Sequence, residues 1–71
     1  MSFSFPAAKT AQAYEAEHGE GTFDPDYHFT GDQKTVENGL KAKVKDPSKV
    51  LAYHLYQPFP RMWSLEVMLE G

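Results

Sequence analysis

The chain has 71 residues, a formal charge of −3 and no cysteine. That excludes a disulfide framework and a thiolate metal site, and it argues against general affinity for nucleic acid or anionic membrane. A domain of this size buries only about 60 % of its unfolded surface, so without a staple the expectation is oligomerisation or a permanent partner.

The charge is unevenly spread. Residues 1–40 hold seven acids against Lys9 and Lys34, whereas residues 41–71 hold five bases against Asp46, Glu66 and Glu70. No apolar run approaches the roughly 20 residues of a membrane span. Met1 to Pro6 lacks the basic start and long apolar segment of a secretory signal. A soluble, cytoplasmic, single-domain protein over residues 1–71 is the expectation, with no membrane partner.

In chain order, Ser4 reads as the cap of a helix over residues 5–18, rich in alanine and closed by Gly19. Its apolar stripe of Ala7, Ala11 and Tyr14 is thin, so it needs packing to persist. Phe3 and Phe5 should either fold back onto the sheet or enter a partner. Residues 19–32 are dense in turn formers and acids with Phe23, Tyr27 and Phe29 interleaved, which reads as an ordered loop with a short edge strand at Tyr27–Phe29.

Residues 33–45 contain the pair Asn38-Gly39, a strong hairpin signal. A three-residue loop with Gly39 in a bulge places Leu40, Ala42 and Val44 toward the core and Lys41, Lys43 and Lys45 outside. Asp46-Pro47-Ser48 then turns into residues 49–70, an apolar hairpin holding most of the large side chains. Its second arm alternates, with Trp63, Leu65, Val67 and Leu69 on one face. Its first arm, Val50 to Tyr56, reads as strand over helix because of Tyr53 and Tyr56. Gln57 to Arg61, with two prolines, reads as the connection. The fold class expected is α+β: one N-terminal helix packed on a mostly antiparallel β-meander of about three to five strands.

Chemistry-bearing patterns are sparse. His18, Glu20, Asp24, Asp26 and His28 offer oxygen and nitrogen ligands. However, Phe29 and Thr35 stand where a calcium loop needs glycine and glutamate, and the two histidines match no zinc spacing. No metal and no cofactor is implied. His54 is a candidate general base for an oligomeric enzyme or small-molecule site, but no nucleophile accompanies it in a known pattern, and a hydrogen-bonded core or interface histidine is the simpler reading. Lys41, Lys43, Lys45 and Lys49, with Arg61, Tyr53, Tyr56 and Trp63, compose a possible single-strand nucleic-acid surface. The acidic balance weighs against it, and lysines on a strand more often guard a sheet edge.

Phe59, Arg61, Met62, Trp63, Met68 and Tyr56 are the residue types enriched at interface cores. Met62 and Met68 are expected exposed on the face opposite Trp63. Phe59, between two prolines, reads equally well as an anchor presented to a pocket or as a cover over the core edge. The function expected is therefore a non-catalytic protein-interaction module, either an accessory subunit or a compact inhibitor of the kind phages encode. A weaker version has the acidic half imitating phosphates in a basic groove.

Overall fold

A computed structural model describes residue 5 and residues 7–70. The chain is α+β, as expected, with a mixed sheet of four strands and two α-helices. In order come β1 (Lys9–Thr10), α1 (Ala11–His18), β2 (Tyr27–Gly31), α2 (Gln33–Lys43), a 3-10 turn (Pro47–Lys49), β3 (Val50–Phe59) and β4 (Met62–Leu69). The sheet order is β1-β3-β4-β2, with β4 antiparallel to both neighbours and β1 parallel to β3. The sheet is therefore not a plain meander. β2 and β3 run the same way with β4 between them, and α2 makes the crossover.

The expected hairpin over residues 33–45 is corrected: this segment is α2. Asp32 caps it by accepting the Thr35 N–H at 2.8 Å, and the Gln33 side chain donates to Glu37 one turn on. Val36, Leu40 and Val44, spaced by four, form the stripe that meets the sheet, and Val36 and Val44 are buried there with Val50, Leu65 and Val67. Asn38 and Gly39 are helical residues, not a turn.

The N-terminal helix exists but begins at Ala11, not at residue 5. Lys9 and Thr10 pair with Ala52 and Tyr53 instead, and Thr10 caps α1 through a bond from the Ala13 N–H at 3.2 Å. Strand pairing overrides the helix preference of the preceding alanines. Ser4 and Phe3 lie outside the described residues. Phe5 folds back, its ring centroid 5.1 Å from that of Tyr53. α1 contacts β1 and β3, and the small side chains of Ala11 and Ala52 are both buried.

The 49–70 hairpin forms with both arms as strands, and the first arm continues through Phe59. Gln57 and Pro58 are thus part of β3, at a register shift where β3 carries one residue more than β4. A bulge is where a strand tolerates proline. The turn itself is Pro60-Arg61, with Arg61 at φ 65°. The acidic loop is tied down by Asp26: its N–H donates to the Val67 carbonyl at 2.8 Å, and its carboxylate accepts the Leu69 N–H at 2.7 Å. Among the described residues no helix is long and apolar enough to cross a membrane.

Candidate functional site

Strand alternation gives the sheet two different faces. Tyr53, Leu55, Leu65, Val67 and Phe29 face the α2 side and join the core or pack against it. On the opposite face the register lines up His28, Glu66 and His54 in one row, and Thr30, Ser64 and Tyr56 in the next. The first expectation for this region anticipated only part of it. The β4 alternation put Ser64 and Glu66 on this face, but their neighbours from β2 were not foreseen.

Within these rows the His28 Nε2 bonds the Ser64 hydroxyl, and Thr30 Oγ1 lies 3.3 Å from the same nitrogen. Serine and histidine in contact are the start of a nucleophile–base pair. Ser64 is only 2 % exposed, however, so its oxygen is beneath the surface, and the bond satisfies a buried hydroxyl. His54 is exposed and its ring packs against Tyr56, centroids 4.8 Å apart. Among the described residues no three His, Cys, Asp or Glu side chains are grouped so as to hold a metal ion.

The six residues expected to bind a partner separate into two sets. Phe59, Arg61, Met62 and Tyr56 gather at the hairpin tip and along β3: Phe59 is 64 % exposed, Tyr56 38 %, and Phe59 pairs with Met62 across the turn. Trp63 is half-buried and packs against the core cluster. Met68 is a correction. It is only 8 % exposed, with its sulfur 3.3 Å from the Asp24 N–H, because the acidic loop returns across that end of β4.

The lysines are also placed differently from expectation. Lys41 and Lys43 are in the last turn of α2, where their charge complements the helix dipole, and Lys45 and Lys49 follow in the turn into β3. Lys43, Lys45 and Lys49 border a groove of about 490 Å³ that Asp46 and Glu70 also line. Its position is the end of the sheet where β3 begins and β4 ends. Tyr56 is toward the hairpin tip, while Tyr53 and Trp63 pack with the core. Lysines and exposed aromatics therefore do not share a surface.

The outer edge of β3 is the part of the fold that the sequence did not announce. Among the described residues, only Lys9 and Thr10 pair with it, opposite Ala52 and Tyr53. Among the described residues no strand pairs with the edge from His54 to Phe59, and the six residues there, HLYQPF, carry no acid, lysine or arginine. Where β1 ends, Thr10, Gln12, Tyr53, His54 and Leu55 line a groove of about 400 Å³. No protein-family model, no curated protein and no solved structure matches the chain.

Proposed function

We propose that the chain is a non-catalytic protein-interaction module, docking through the tip of the β3–β4 hairpin and the adjoining outer edge of β3. The observation that carries this reading is Phe59. It is a large apolar side chain, 64 % exposed, held at the end of a strand pair rather than on a free loop. An aromatic fixed in place loses little entropy when it enters a pocket, which is what an anchor residue requires. Tyr56 and Met62 lie beside it, and Arg61 completes a set typical of interface centres. An accessory subunit or compact inhibitor acting in the cytoplasm fits this surface, and the absence of cysteine fits a reducing compartment.

A photoreactive phenylalanine analogue at position 59, expressed in the cell that makes the protein, tests this. The expected result is a discrete cross-linked species that is absent when the same probe replaces Lys41. Equal labelling at both positions, or none at 59, contradicts the reading.

A further inference from the structure

Resting on that reading, we infer that the partner is a second copy of this chain, joined through the open edge of β3 in an antiparallel, two-fold arrangement. An unpaired strand edge is a template for another strand, and proteins that keep such an edge unused place charges on it. The edge from His54 to Phe59 carries no acid, lysine or arginine, and its proline lies in the bulge near the end of the stretch. Two copies meeting along this stretch set no lysine, arginine or carboxylate of it against another.

The edge also carries both halves of a joint. Phe59 projects at one end and the groove of Thr10, Gln12, Tyr53, His54 and Leu55 opens at the other, where β1 leaves the sheet. Antiparallel pairing centred on Tyr56 sets Gln57 opposite Leu55 of the second copy and Pro58 opposite His54. The next residue, Phe59, then arrives at the groove. By the two-fold, the same contact forms twice. Because β1 covers Ala52 and Tyr53, pairing further along β3 is blocked, so the register is limited to the open stretch. Sliding the copies apart would withdraw Phe59 from the groove. The result is one continuous sheet through both copies, with exposed Tyr56 and Phe59 covered. It supplies the burial that so small a chain lacks by itself.

Sedimentation of the full chain, from low micromolar to near-millimolar concentration, tests this. Circular dichroism of dilute samples checks that each variant folds. The wild type is expected to pass from monomer to dimer mass. Phe59→Ala, which empties the groove, and Tyr56→Lys, which sets two cations at the axis, are each expected to weaken the dimer about tenfold or more. Lys45→Ala is expected to leave it unchanged. A wild type that stays monomeric, or a dimer indifferent to both folded edge variants, overturns the inference. A monomer whose position-59 probe captures a different protein overturns the second copy while keeping the interaction module; a monomer with no capture overturns both.

Discussion

Gly39 on α2 lies so close to Phe29 on β2 that a β-carbon there would stand 2.8 Å from the ring Cδ1 and 3.4 Å from Cε1. This contact is why a helix interior holds a glycine. By propensity alone Gly39→Ala gains about 1 kcal/mol, but overpacking against an aromatic ring in the core costs about 1–3 kcal/mol. The expected net effect in urea unfolding is a loss of about 1 kcal/mol. In a Phe29→Leu background the same change is expected to become favourable, because the ring it strikes is gone.

Arg61, which follows Pro60 in the hairpin turn, has φ 65°, the left-handed conformation that glycine adopts most readily. A non-glycine residue is strained there by about 1–3 kcal/mol, part of which glycine returns through its own chain entropy. Arg61→Gly is expected to raise unfolding stability by about 0.5–1 kcal/mol. A loss of that size would mean that the arginine side chain contributes to the fold.

The bond between His28 and Ser64 has unequal ends: Ser64 is buried and His28 is exposed. Removing the imidazole strands the hydroxyl, which costs about 1–3 kcal/mol, whereas removing the hydroxyl leaves a histidine that water can satisfy. His28→Ala is expected to destabilise more than Ser64→Ala, and adding Ser64→Ala to His28→Ala is expected to recover part of the loss. Equal single effects with full additivity would contradict the pairing.

Three carboxylates are held below their ordinary range: Asp32 and Asp46 by bonds from Thr35 and Ser48, and Glu17 by the side-chain bond and charge of Lys9. A group whose folded pKa is depressed adds stability above its unfolded pKa and loses it as pH falls through the folded value. The melting temperature is therefore expected to be level near neutrality and to decline as pH drops through and below the ordinary carboxylate range. Asp32→Asn keeps a capping oxygen without the titration, so its decline is expected to be shallower.

Some of this was legible beforehand. The alternation of Trp63, Leu65, Val67 and Leu69 marked β4 because one buried face imposes a period of two on any strand. The same test misread α2. Leu40, Ala42 and Val44 alternate, yet Val36, Leu40 and Val44 also repeat every four residues, and Asn38-Gly39 tipped the reading toward a turn. The four-residue repeat and the Asp32 cap belong to the helix, and the glycine that suggested a turn is there because Phe29, ten residues upstream and in another element, leaves no room for a β-carbon, a contact no local pattern records. Likewise His28 and Ser64 are separated by 36 residues and meet only because β2 crosses to pair with β4. The hairpin tip was readable from Phe59 and its prolines. The open edge was not, since it depends on β1 stopping after two residues.

Residue-resolved amide exchange along β3 tests the second-copy edge most directly. In dilute protein the outward amides between Leu55 and Gln57, beyond the reach of β1, have no strand partner among the described residues and should exchange as exposed amides do, while the β4-facing amides stay protected. In concentrated protein the account predicts that the outward amides slow markedly, and that Tyr56→Lys abolishes the slowing. Outward amides that exchange equally fast at every concentration would contradict it.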